Sequence, residues 1–521
     1  MSMGYSSRSE LTIKIVSLFA IAIIAIGANA AAAQTTQDSN EIKRTIKEAR
    51  KLTRASLNVE AEKLLRDASA LNPDTSSLKV ELAFALSKQR KLGAAYELAF
   101  EVAKNEPNNS RAFSVLGAIL LTAGRLNDAR TMFVNAITLD KEDDLGWAGL
   151  GLTDFYENRI DQSLSHLQQA VHENPREPDY LFALAQVSAR AERYRESADA
   201  YYRFLSVSKD TDKDRRTRIK GLIAFLRFLG EKDRLYQSIG SDSAKVKFEL
   251  IGNRPIITLN VNENPTPLRF VLDTGSGITV MSDTAAKRLK IRPVNKGGFA
   301  KGIGGDGRFE ILYGYIRSIQ IDTVDVRNVP IYIRKFHDQS SNIDGYIGLA
   351  MISKFLTTID YGNKTFALTK KGSDQRDFQD NIALSLPLRL TSSGFLSGEV
   401  QLQGIESPLN FIVDTGASVS VISSQVARVE AINRFIGEEK LRVIGAAGVT
   451  NDVPTYLLPK VTFGSHTREK IEAIALDLGI INESSGFEQD GILGGNFLKN
   501  YSLTFDFKNS KVTFRSVNPH D

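Results

Sequence analysis

One pattern, an apolar run that stops at an acid, a threonine and a glycine, occurs twice in this chain and in a single register. Phe270-Val271-Leu272 leads into Asp273-Thr274-Gly275-Ser276, and Phe411-Ile412-Val413 leads into Asp414-Thr415-Gly416-Ala417. A shift of 141 positions places Asp273 on Asp414, and also Pro267 on Pro408, Leu268 on Leu409, Val280 on Val421 and Ser282 on Ser423. Apolar runs of this length bounded by glycine read as buried strands, so each acid is delivered to the edge of a core with no basic residue directly beside it. Two carboxylates brought together cannot both ionise; they share a proton, and the pair can act as base and acid at once.

A second block repeats at an offset of 146: Gly345-Tyr346-Ile347-Gly348 against Gly491-Ile492-Leu493-Gly494, then Asp360 against Asp506 and Asn363 against Asn509. The change in offset places a short insertion between the blocks, which a loop absorbs cheaply. Between first and second blocks lie two glycine-rich tips, Gly302-Ile303-Gly304-Gly305 and Ala446-Ala447-Gly448. Gly302, Gly304 and Gly307 also match the dinucleotide fingerprint, but that fingerprint needs a following helix. Arg308 to Tyr313 reads instead as a strand, so the tips are expected on hairpins.

These features resemble the aspartic proteases over roughly Lys245 to Val517, about half the chain. The resemblance implies an all-β, bilobal, retropepsin-like fold in one chain, with lobes at 245–371 and 382–518 joined by the polar stretch Gly372–Asn381. It implies Asp273 and Asp414 as the catalytic pair, acting on a water held between them with no metal and no cofactor. Thr274, Gly275, Ser276, Thr415, Gly416 and Ala417 would support the loops, the threonines hydrogen-bonding across the pseudo-twofold. Gly302, Ile303, Gly304, Gly305, Ala446, Ala447 and Gly448 would be flap residues of the retroviral kind. A hydroxyl at the fourth loop position can bond the neighbouring carboxylate, so Ser276 is expected to hold the charge on Asp273 and leave the proton on Asp414. Asp360 and Asp506 are expected in strand-ending turns, and the second blocks beneath the aspartate loops.

The rest of the chain is organised differently. Pro73, Pro107 and Pro175 stand on a 34-residue ladder with Lys141 on the missing rung, and two series of small residues follow it: Ala49, Ala83, Gly117, Gly151, Ala185 and Ala61, Ala95, Ala129, Ser163, Ser197. This is similar to the tetratricopeptide repeat, implying an all-α solenoid of about five repeats over 40–211 with a groove for a protein partner. Residues 212–239 read as a capping helix, and Gly240 to Ser243 as a linker. Residues 1–33 have a basic start, the apolar run Ile15 to Ile26 and an Ala28-Asn29-Ala30 exit, the layout of a cleaved signal peptide.

Composition narrows the chemistry. There is no cysteine, the five histidines lack metal-ligand spacing, and the net charge of +5 is not gathered into a long basic run, so thiol, zinc and nucleic-acid functions are not indicated. An exported chain without disulfides fits a bacterial periplasm or a secreted protein; an uncleaved leader would instead anchor it in the inner membrane. The expectation is an exported aspartic endopeptidase, catalytic as a monomer, whose repeats recruit protein substrates or a partner. The other reading is a non-catalytic envelope scaffold with a protease-like β domain.

Overall fold

The computed structural model describes residues 40–209, 213–338, 342–371 and 383–517. The expected leader and the stretch 372–381 lie outside them. The chain forms two compact units that part at Lys213.

The first unit is built from ten helices between Asn40 and Val207. The second helix of each pair starts at Asn58, Leu92, Leu126, Ile160 and Tyr194, each 34 residues after the last. The turn within each pair is equally periodic: Ser56, Arg90, Gly124, Asn158 and Glu192 all have φ between 58° and 78°, although only one is glycine. A side chain in that left-handed region costs about 1 kcal/mol or more, which the packing of every pair must offset. Ala49, Ala83 and Ala185 on the first helices, and Ala61, Ala95, Ala129, Ser163 and Ser197 on the second, are buried. At Gly117 and Gly151 a Cβ would fall 2.7 Å from the Phe133 ring and 2.6 Å from Leu167 Cγ, so the close helix approach requires glycine there. The two serines keep the same contact: Ser163 Oγ donates to Gly151 O at 2.6 Å and Ser197 Oγ to Ala185 O at 2.7 Å, which satisfies hydroxyls that would otherwise be costly to bury.

The second unit is β-rich. A nine-stranded sheet forms lobe 1 and an eight-stranded sheet lobe 2, while a six-stranded sheet draws strands from both. At the middle of this shared sheet Phe355–Asp360 of one half runs antiparallel to Tyr501–Asp506 of the other, with Thr358 opposite Thr504. Those threonines are 146 residues apart, the offset of the second repeated block, and their hydroxyls meet at 3.0 Å. Equivalent residues that face each other mark the pseudo-twofold axis. Both strands end alike: Asp360 accepts from Asn363 N at 3.0 Å and Asn363 Nδ2 at 2.9 Å, Asp506 from Asn509 N at 3.1 Å and Asn509 Nδ2 at 2.6 Å.

Two boundaries differ from the sequence reading. The expected linker Gly240–Ser243 is a tight turn between strands Gln237–Gly240 and Ser243–Lys247, because the first pairs with Val324–Arg327 and the second with Thr365–Thr369. The helix Lys213–Gly230, expected as a cap for the array, belongs to the β unit. Its Phe225 stacks on Tyr313 at 4.6 Å, and Asn295 Nδ2 donates to Gly221 O at 2.8 Å. A Cβ on Gly221 would lie 2.3 Å from Lys296 O, so glycine permits the helix to lie against this hairpin.

Candidate active site

In each half the apolar strand before the acid is clamped by the second block. Gly345-Tyr346-Ile347 runs parallel to Phe270-Val271-Leu272, and Gly491-Ile492-Leu493 parallel to Phe411-Ile412-Val413. Asp273 N donates to Ile347 O and Asp414 N to Leu493 O, both at 3.0 Å, which fixes the point where each chain turns. The glycines allow this crossing: a Cβ on Gly345 would sit 2.2 Å from the Phe270 ring, and one on Gly491 2.3 Å from the Phe411 ring.

The two turns meet over the pseudo-twofold. Thr274 Oγ1 donates to Val413 O at 2.6 Å and accepts from Thr415 N at 3.0 Å; Thr415 Oγ1 donates to Leu272 O at 2.7 Å and accepts from Thr274 N at 3.1 Å. Both threonines are fully buried, so each loop completes the hydrogen bonding of the other and neither is satisfied alone. This lock sets the carboxyl of Asp414 against Gly275 and that of Asp273 against Gly416. A Cβ on those glycines would fall 2.3 Å and 2.7 Å from the opposing carboxyl carbons.

Burial raises the proton affinity of both acids, and their surroundings then set them apart. Asp414 Oδ1 accepts from Gly416 N at 2.7 Å and Ala417 N at 3.2 Å, bonds that favour its anion. Asp273 is pushed well above the usual carboxylate range, first by burial and then by the charge of Asp414 and the hydrogen bond between the two carboxyls. Asp414 is raised by burial, against the pull of the bonds from Gly416 and Asp273. Both acids are thus raised together, Asp273 the more strongly, and the proton they share belongs to the pair. The bond expected from Ser276 to Asp273 does not form: Ser276 Oγ donates to Ile278 O at 2.8 Å, so its hydroxyl is engaged with the backbone. Ser276→Ala should accordingly leave the pH–rate profile in place, with apparent constants moved by less than about 0.3 unit, since a lost backbone contact of this kind does not act differentially on the two protonation states.

Comparison with known proteins agrees with this geometry. The aspartyl protease family profile matches residues 257–351 and 398–497, one segment around each acid. The β unit is an aspartyl-protease domain. A tetratricopeptide-repeat profile matches residues 149–212, so the chain joins a repeat array to a protease domain. Among solved structures, the aspartic proteinase of Irpex lacteus aligns with 53% of this chain and 97% of its own, at 13% identity and a TM-score of 0.36. A thermophilic tetratricopeptide protein of Thermus thermophilus aligns with 35% of this chain and 98% of its own, at 19% identity and a TM-score of 0.30. Comparison with curated proteins gave no match.

The protease domain carries two hairpins whose tips meet. Strands Asn295–Lys301 and Arg308–Ile321 form one, Ile436–Gly445 and Gly448–Phe463 the other. Ala447 N donates to Ile303 O at 2.9 Å and Gly305 N to Val449 O at 3.3 Å. A Cβ on Gly304 would fall 2.2 Å from Gly448 O, and Gly304 and Gly305 have φ of 95° and 54°, so glycine is required both for the turn and for the contact. Gly302, Ile303, Gly304 and Gly305 thus face Ala446, Ala447 and Gly448 directly.

Some supporting residues escaped the sequence reading. Asp344 accepts from Arg269 N at 2.9 Å and Asp490 from Asn410 N at 3.0 Å, tying each second block to the strand before the catalytic acid. Both stand immediately before the repeated glycines at the offset of 146, so the signal was present. Arg334, whose charge bears on Asp273, carried no such signal within its own half.

Proposed function

We propose that this protein is an exported aspartic endopeptidase in which Asp414 is the general base and Asp273 the general acid. The observation that carries the reading is the threonine-locked pair of buried acids with unequal surroundings. A water placed between them would lose a proton to Asp414 while Asp273 donates to the peptide carbonyl. No covalent intermediate is needed, and the proton is returned through the same pair. The buried oxygen Oδ1 of Asp273 accepts no hydrogen bond among the described residues, and so has capacity for such a water or for substrate.

The flaps would cover an extended peptide, and both lobes lie in one chain, so a single copy supplies both acids. The repeat array is proposed to tether a protein substrate or partner and so raise its effective concentration at the cleft. The leader pattern and the lack of cysteine support a periplasmic or secreted location. Among the described residues no helix is long and apolar enough to cross a membrane.

The test is digestion of a denatured protein mixture by the purified chain from Gln34 onward, between about pH 4 and 7.5, with and without a statine-type inhibitor. Cleavage that the inhibitor blocks is the expected result. No cleavage at any pH, by protein shown to be folded, would leave the scaffold reading in its place.

A further inference from the structure

The two halves of the protease domain are one motif repeated, so their differences beside the dyad are informative. On the lobe 2 side Ile412, Val421, Ile474, Leu476, Leu478 and Ile492 belong to one buried aliphatic cluster, against which Ile303 of the opposite flap, Phe395 and Ala417, the residue beside the dyad, pack. Strand register identifies the lobe 1 counterparts. Ser282 pairs with Arg334 as Ser423 pairs with Leu476, and Val280 with Tyr346 as Val421 with Ile492. Two residues further along, Phe336 takes the place of Leu478 and, with Tyr346, packs on a small cluster of Ile256, Val271 and Ile343. Where lobe 2 has leucine and isoleucine, lobe 1 has a guanidinium in an aromatic frame.

Among the described residues Arg334 forms no ion pair, and Asp273 acts on it only through its field. Its guanidinium lies 5.4 Å from the ring centre of Phe309, 4.7 Å from Phe336 and 5.8 Å from Tyr346. Nη1 donates at 3.2 Å to Ala446 O on the flap tip and to Lys335 O. Among the described residues no carboxylate forms an ion pair with it, and Nε and Nη2 make no hydrogen bond. Burial lowers its proton affinity, while Tyr346 and Asp273 are the acidic groups that counter the effect. A partly desolvated cation with unused planar donors is a strong site for a carboxylate, which it can take in bidentate fashion. The three surrounding rings and the bonds from Nη1 restrict the guanidinium, so less ordering is required on binding.

We propose that Arg334 selects an acidic side chain of the substrate, so that the preferred scissile bond has Asp or Glu on one side and an aliphatic residue, seated on the Leu476 cluster, on the other. This rests on the peptidase reading above. It adds a coupling: a substrate carboxylate on Arg334 cancels the positive field at Asp273, which strengthens that acid's hold on the shared proton in the bound state.

The test uses the full chain and end-capped peptides that differ only in Glu, Gln or Leu at each of the two positions flanking the cut. Wild type should favour Glu over Gln at one position by about 10- to 100-fold in kcat/KM. That preference should fade below about pH 4, where the substrate carboxyl protonates. R334L, which installs the lobe 2 residue, should lower the Glu-to-Leu ratio at least tenfold. Equal use of Glu and Gln by wild type at both positions, or a preference that survives in R334L, would overturn the assignment. If R334L does not fold, the wild-type ratio and its loss at low pH still decide. Reduced-amide versions of the same peptides separate the two readings: Arg334-dependent preference for Glu in binding, without turnover of the cleavable peptides, retains this site and rejects the peptidase. Equal binding of the Glu and Gln analogues rejects the site.

Discussion

Asp273→Asn and Asp414→Asn should each lower peptide hydrolysis by about 10⁴-fold, the upper end of what positioned acid–base catalysis contributes, while the protein stays folded. Either change leaves one carboxyl and an amide, which can still bond but cannot pass a proton. The two variants should differ from wild type in a second way that a purely structural role for the acids does not give. An acid whose folded-state proton affinity is raised contributes stability that is fully present below its unfolded value, near pH 3.9, and is lost as pH rises through the folded value. Both carboxyls are raised, Asp273 the more strongly. Wild type should therefore lose stability as pH climbs from about 4 toward neutral, and Asp273→Asn should flatten that slope, melting higher than wild type at pH 7 and no higher at pH 4. Thermal melts across this range check it; Asn variants that melt below wild type at pH 7 would contradict a strained, proton-sharing pair. The same two groups set the activity profile. Rate should fall on the acid side as Asp414 takes up a proton and on the alkaline side as Asp273 loses its own, with both apparent constants belonging to the pair. Because burial raises both, the bell should extend above the range of ordinary carboxylates.

Much of this site was legible because the chain states it twice. The offset of 141 brought Thr274 and Thr415 to the axis, where they are bonded to each other's loops, and the offset of 146 did the same for Thr358 and Thr504. The 34-residue ladder likewise anticipated the small residues on which paired helices meet, though not that Ser163 and Ser197 bond the preceding helix through their hydroxyls. What stayed hidden depends on direction or on distant partners. A serine's presence at the fourth loop position does not say which acceptor its hydroxyl turns to, and Ile278 O was nearer in chain than any expected partner. The apolar stripe of Lys213–Gly230 called for a surface to cover it, but only the fold supplies Tyr313 as that surface. Arg334 has no counterpart signal in the sequence; its meaning comes from the register that sets it in the place of Leu476.

Gly275→Ala should reduce turnover by about 10²-fold, the penalty associated with displacing catalytic groups by an ångström or so, while lowering stability by only about 1–3 kcal/mol, as for an overpacked core. The added methyl would be directed at the opposing acid, 2.3 Å from Asp414 Cγ, 2.4 Å from Oδ2 and 2.6 Å from Oδ1. Gly275 needs no left-handed backbone, so the substitution acts through contact and not through turn strain. Relief is available only at the carboxyl, because the threonine lock beneath it is buried and complete, and the bonds from Gly416 and Ala417 hold Oδ1 in place. Pushing the two acids apart weakens the hydrogen bond between them and with it the proposed division of labour between base and acid. The acid and alkaline limbs of the pH profile should then draw closer together, as two carboxyls titrate more nearly independently. Gly416→Ala presses on Asp273 from the other side at 2.7 Å and should do the same. Melting curves and pH–rate profiles of the two variants measure both effects. If either variant keeps full turnover with the limbs unmoved, the acids do not work in contact, and the assignment of base and acid to Asp414 and Asp273 falls with it.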